Sequence, residues 1–197
     1  MSVSEVQICN LALNRVGNLS ITSLEDASKE GRACKVFYPI CRDWVMERHP
    51  WNFAMARADI SAQVEPAPAF GFDYAYTLPT DCLRAWEIVG STAEWIAEDG
   101  QLLTDLDEEI YLSYIKRITT TGRFSVAFAE CISVKLAAEL ANKLASDKAL
   151  RKALLEELYN VSLPDAYRLN AEEGNRPATE GAKDMSKSSY AWQSEGR

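Results

Sequence analysis

Several features that assign function quickly are absent from this sequence. No apolar run among its 197 residues approaches the roughly 20 that a membrane-spanning helix needs. The opening stretch MSVSEVQICNLALNRVG carries Glu5 early and has no basic run followed by an apolar one. It does not read as a secretory signal, and a cytosolic site of synthesis is expected. The five cysteines, Cys9, Cys34, Cys41, Cys82 and Cys131, are odd in number and show no C-x-x-C spacing. That pattern argues against a disulfide framework or a zinc site and for small buried hydrophobes. Cys34 and Cys41 would share a helical face. Histidine occurs once, as His49. No G-x-S-x-G, P-loop, G-x-G-x-x-G or H-E-x-x-H motif appears. Surplus positive charge is missing as well: the net charge is −8, which lacks the electrostatic footprint of a DNA binder.

What is present is apolar content for a core and an uneven distribution of acid. Hydrophobic residues make up 47% of the chain, enough for one well-buried core or one core plus a small appendage. Residues 1–60 carry seven basic and seven acidic side chains, and residues 116–197 carry thirteen and eleven. Residues 61–115 carry eleven acids against Arg84 alone, so the acidity belongs to the middle of the chain.

Periodicity divides the sequence into two helices, a β insertion, two helices and a tail. A first helix is expected over residues 3–16, capped by Ser4 and ended at Gly17, with Val6, Cys9, Leu13 and Val16 on one face. A second spans about 28–48. Its stripe is Ala33, Phe37, Ile40, Cys41, Trp44 and Val45, with a kink at Pro39 and a stop at Pro50. Trp51 and Phe53 then read as a core anchor. Segments YAYTL, LRAWEIVG, AEWIA, LLTDL and EIYLSYIKRI read as strands, with Asp99-Gly100 a hairpin turn. A third helix is expected over 123–146, facing inward with Ile132, Leu136, Leu140 and Leu144. A fourth runs from about Ser146 to Glu173, with Leu150, Leu154, Leu158 and Val161 inward and an interruption at Pro164. The polar remainder would be disordered alone.

The expected fold is mainly α with a β insertion, an α+β chain. A four-helix bundle-like core (1–60 and 119–172) holds a small antiparallel, acidic β unit (61–118), and an extended C-terminal arm follows (173–197). No cofactor or metal is expected. A lone histidine beside a proline at a helix end reads as a packing residue. The acids Glu94, Glu98, Asp99, Asp105 and Asp107 offer many nominal carboxylate pairs, so as a glycosidase signal they have almost no specificity. Tyr190 and Trp192 near the end of the polar arm read as a partner anchor, since aromatics dominate binding hot spots.

Four stretches carry a family likeness. They are ICNLALNRVG followed by ITSLEDASKEGRACKVFYPICRDWVMERHPWNFA, then YAYTLPTDCLRAWEI, then IYLSYIKRI leading into LAAELANKLA, and finally SSYAWQ. HPWNFA after an amphipathic helix with an internal proline is the most specific of them. With these stretches the chain resembles the tail tubular protein A family, the head-to-tail adaptors of tailed bacteriophages. The resemblance covers nearly the whole chain, weakest around residues 60–70 and 173–187. It implies a structural subunit of a ring, usually dodecameric, docked beneath the portal at the head–tail junction of a virion and assembled in the host cytoplasm. It also implies a helical bundle with a β-rich insertion, and no catalytic residues. Pro164 and TTTGRF depart from the pattern.

In such a ring, one face of each subunit meets a different face of the next. The expected partners are further copies of the chain, the portal and a tail nozzle or tail-tube protein. Genome DNA would pass through without specific binding. An acidic wall repels phosphate, so part of segment 61–115 is expected to face the channel or the tail-side opening, with Glu94, Glu98, Asp99, Asp105 and Asp107 as candidates. The arm would tether each subunit to the portal or to a neighbour. Two other readings stand beside this one: a phage-encoded wall hydrolase using a carboxylate pair, and a helical DNA-binding regulator.

Overall fold

The computed structural model describes residues 3–61, 63–107 and 109–174. It is an α+β chain. Helices α1 (Glu5–Arg15) and α2 (Lys29–Glu47) precede six strands, and α3 (Val126–Leu140), α4 (Lys148–Glu157) and α5 (Leu163–Gly174) follow them. The fourth helix of the bundle is α4 and α5 joined by a π turn over Leu158–Ser162.

Local chemistry explains the starts of the helices. Ser4, Ser28, Ser125 and Asp147 each accept a backbone N–H of the first turn, satisfying one donor that has no helical partner. At Ser4 the Gln7 side chain returns the bond, completing a capping box. The loop between α1 and α2 is held by Asn10, whose amide accepts the Ile21 N–H at 2.8 Å and donates to the Ile21 carbonyl at 2.9 Å. Helix α2 passes through Pro39 without ending. Gly31 sits where α2 meets the preceding loop: a Cβ there would lie 2.5 Å from the Asp26 carbonyl oxygen.

Helix α3 is the centre of the bundle, packed by α1, α2 and α4. Ala129, Ala137, Ala138 and Ala141 are buried along it and let the neighbouring backbones approach closely. The inward faces differ from expectation at two places. Ile40, expected in the α2 stripe, is 61% exposed, and the buried side runs through Cys34, Tyr38, Cys41, Arg42, Val45 and Met46. Arg42 tolerates that position because it pairs with Asp43 at 2.7 Å. Val161, expected inward, is also 61% exposed. The π turn takes up an extra residue per turn, so the stripe Leu154–Leu158 continues at Leu163 and Ala166. Pro164 stands just after the π turn, as the second residue of α5.

Strands β1 (Met55–Ile60), β2 (Tyr74–Thr77), β3 (Cys82–Ile88), β4 (Trp95–Glu98), β5 (Gln101–Thr104) and β6 (Ile110–Lys116) form two antiparallel three-stranded sheets, ordered β1-β6-β3 and β2-β5-β4. Asp99 and Gly100 both adopt positive φ at the β4–β5 turn, as expected of that pair. The β structure begins at Met55, before the expected boundary at residue 61. The sequence MARADI gives a weak strand signal, and pairing with β6 across Met55↔Ile115 to Ile60↔Ile110 makes the strand. A second, smaller core forms between the sheets from Ile60, Tyr76, Ala85, Ile88, Leu102, Ile110, Leu112 and Tyr114. Strand β6 serves both cores: Ile110, Leu112 and Tyr114 face the sheets, whereas Ile115 joins the helical core.

Residues 49–54 carry the chain from the helical core into β1. Trp51 is 1% exposed, and its indole N–H donates to the Val45 carbonyl at 3.1 Å. Its ring meets Phe128 edge-on at 4.9 Å and lies 5.6 Å from Tyr167. Phe53 continues the cluster onto Phe128 at 4.8 Å and Phe124 at 5.7 Å. Arg123 donates to the Phe53 carbonyl at 2.6 Å, and the Lys116 N–H donates to the Ala54 carbonyl at 2.9 Å, which ties the segment to β6.

Two substitutions test this packing. Trp51→Ala is expected to cost about 3–5 kcal/mol, the range for a large aromatic removed from a core, measured by chemical denaturation. Gly31→Ala is expected to destabilise by more than about 1 kcal/mol, although alanine ordinarily stabilises a helix by about 0.5–1 kcal/mol over glycine, because the new Cβ meets the Asp26 backbone.

Candidate functional site

The five acids singled out in the sequence fall into two groups at opposite ends of the β4–β5 hairpin. Glu98 and Asp99 stand at the turn, and Glu94, Asp105 and Asp107 at the other end, about 10 Å away along the strands. All five are exposed. Asp105 accepts the Asp73 N–H at 3.0 Å, and Asp107 accepts from the Gln63 side chain at 2.7 Å, so this end of the unit is a network of loop contacts. Glu98 and Asp99 rim an open groove of about 700 Å³ between β3 and the β4–β5 hairpin, which also holds Arg84, Trp86 and Trp95. The Arg84 guanidinium lies 5.4 Å over the Trp86 ring. Tyr190 and Trp192 lie outside the described residues.

A carboxylate pair that the sequence did not mark stands on the β1–β6 edge. Asp59 faces Tyr111 across the strands, and Glu109 precedes Tyr111 by two residues on the same side. Asp59 hydrogen-bonds Glu109, which raises the Asp59 carboxyl above its ordinary range. Glu109 is lowered, first by the Tyr111 hydroxyl and then by Asp59. The two carboxyls therefore titrate as a coupled pair, Asp59 shifted up and Glu109 shifted down. Their hydrogen-bonding contact is tighter than the about 5 Å or more that separates the carboxyls of a glycosidase. On the opposite edge, Asp81 is lowered from its ordinary value by Lys116 at 2.8 Å and by the Tyr114 hydroxyl at 3.1 Å.

His49 has a structural setting. Its ring stacks on Tyr167 at 4.3 Å and meets Trp51 edge-on at 5.0 Å. Nε2 lies 3.1 Å from the Asn170 side-chain nitrogen. Asn170 accepts the Asn52 N–H through its oxygen at 2.9 Å, so its nitrogen is the group facing the histidine. Nε2 must then accept, which requires neutral imidazole. Burial lowers the His49 pKa in the same direction. Four cysteines are buried and Cys82 is half-buried, all as free thiols. Burial pushes the Cys41 and Cys131 thiols up to about 12. Cys9 and Cys34 meet between α1 and α2, where the Cys9 thiol donates to Cys34, raising Cys9 and lowering Cys34.

The remaining notable geometry is on the surface. A groove of about 540 Å³ runs between the first half of α2 and the end of the α3 helix. Ala33, Val36, Phe37 and Leu144 line it, and Lys29, Arg32 and Lys143 rim it. The π turn over Ala141–Ala145 brings Leu144 and Lys143 to this place. At the other end of α3 a second groove, about 440 Å³, is formed by Val126, Ala127 and Leu169 beside Glu172 and Glu173. In the β unit, Phe70 protrudes from the β1–β2 loop with 88% of its surface exposed. None of these places was visible in the sequence, because each joins residues from separate elements or depends on exposure.

Among the described residues no group of three or more His, Cys, Asp and Glu is placed to hold a metal ion, and no helix is long and apolar enough to cross a membrane. No protein-family model matches the chain, and no curated protein matches it significantly.

The neutral His49 has a pH consequence. Its folded pKa lies below 6.5, so its contribution is complete above that value and declines as pH falls through the interval down to the folded pKa. His49→Gln is expected to remove that part of the stability–pH slope. Denaturation midpoints measured across pH 5–8 for both proteins check it, and identical slopes would contradict it.

Proposed function

We propose that the chain is a structural ring subunit, an adaptor joining the portal of a tailed bacteriophage to its tail and lining the DNA exit channel. The observation that carries this reading is the polarity of the molecule. At one end stands the β unit, whose segment 61–115 holds eleven acids and one base. At the other end, the bundle presents an apolar groove rimmed by Lys29, Arg32 and Lys143. The Val126–Leu169 groove is a third and separate surface. A closed ring of identical subunits needs two unlike faces that meet, and an adaptor needs further faces for the structures above and below it. The family resemblance supplies the biological setting.

The acids support the channel assignment in charge. Glu94, Glu98, Asp99, Asp105 and Asp107 are all exposed, so their fields act outward over a Debye length of about 8–10 Å. Such a surface repels phosphate and lets DNA slide past. Strand β6, which packs into both cores, supports the mechanical side, because a ring that transmits position from portal to tail needs subunits whose parts are tied together.

Mixing the purified protein with the portal protein encoded in the same genome and imaging the product by electron microscopy tests the reading. Rings stacked on the portal, with the β unit toward the lumen or the tail side, are expected. A portal that stays bare, or rings whose β unit lies on the outer wall, would contradict the adaptor role or its channel assignment respectively.

A further inference from the structure

We infer that the Phe70 loop of one copy docks in the basic-rimmed groove of the next. This deepens the ring reading by naming the subunit contact, and it rests on that reading for the contact being between copies.

Phe70 has the highest exposure of the large hydrophobic residues among those described. Leaving such a ring in water forfeits the stabilisation that burial of a phenylalanine provides. Pro66 and Pro68 precede Phe70 and each fixes one backbone φ, which reduces the backbone entropy lost on docking. Glu65 and Asp73 flank the aromatic and are exposed. The groove complements both properties. Its floor is Ala33, Val36, Phe37 and Leu144, and its rim is Lys29, Arg32 and Lys143. An aromatic between two acids therefore faces an apolar slot among three cations.

The two surfaces cannot satisfy each other within one chain. Strand β1 leaves the helical core at Met55 and reaches the β core at Ile60, so the loop after it is at the far end of the β unit. Helix α2 contacts that unit near its C-terminus, where Asp43 pairs with Arg117 and the Glu47 carbonyl accepts from Arg84. The groove lies on the first half of α2, roughly 20 Å back along the helix. Knob and groove are thus at opposite ends, and a contact between them is head to tail. Repeated, it closes into a ring where the rotation permits.

Sedimentation velocity on the full chain over a concentration series tests the contact, with Phe70→Ser and Val36→Glu as variants. Both positions are largely exposed, and unchanged thermal melting would confirm that the variants fold. Each variant is expected to weaken self-association at least about tenfold, as loss of an interface hot spot does. An equimolar mixture of the two is expected to give dimers, because one partner keeps the groove and the other keeps the knob. Wild-type protein that stays monomeric throughout overturns the inference, as does Phe70→Ser protein that associates like wild type. Association lost in Trp192→Ala but kept in Phe70→Ser overturns it in favour of the arm as occupant. Portal-bound rings that form equally well with Phe70→Ser refute this contact and leave the adaptor reading standing. A bare portal with Phe70-dependent self-association refutes the adaptor reading and leaves the contact.

Discussion

The burial of Trp51 organises this molecule. Residues 49–54 leave α2, and within six positions they meet α3, α5 and the end of β6. The indole N–H closes the end of α2 through the Val45 carbonyl, and the ring faces meet Phe128 of α3 and Tyr167 of α5. Phe53 and Arg123 bind the entry to α3, while the Ala54 carbonyl holds the end of β6. His49 and Asn170 seal the outside of the cluster with a hydrogen bond that requires neutral imidazole. Aromatic pairs of this kind contribute about 0.5–1.5 kcal/mol each beyond their buried area, and here several share one ring.

That cluster ties the start of β1 to the helical core. Strand β6 is the other half of the joint, since its alternating faces reach the sheets through Leu112 and the helices through Ile115. The acidic loops and the Phe70 knob belong to the β unit and the cationic groove to the bundle, and β6 links the two. The conspicuous groups elsewhere have structural partners: His49 is stacked, the cysteines Cys41 and Cys131 are protonated by burial, and Asp59 is coupled to Glu109.

Much of the architecture is legible in the sequence because it follows from short-range chemistry. Serine caps, the Asp-Gly turn and the stripe of Ile132, Leu136 and Leu140 act over one or two turns of chain. What escapes reading depends on register or on distant elements. MARADI is a strand only because β6 pairs with it. Val161 points outward because a π turn shifts the frame, and no residue in LYNVS announces that turn. Ile40 is exposed because α2 turns a side with polar members, Tyr38 and Arg42, toward the core. The five named acids are all on the surface, but the coupled pair is Asp59 and Glu109, whose proximity is a diagonal relation across strands. The grooves need residues from two helices at once and have no linear signature.

The central claim is that a rigid body acts through its outer surfaces. Amide hydrogen exchange on the free protein and on the portal-bound assembly tests it most directly. New protection is expected at surface segments, chiefly residues 29–37 and 65–73, with exchange around Trp51, Phe128 and Ile115 unchanged. Altered exchange in that core, or no protected surface segment in a bound complex, would contradict it.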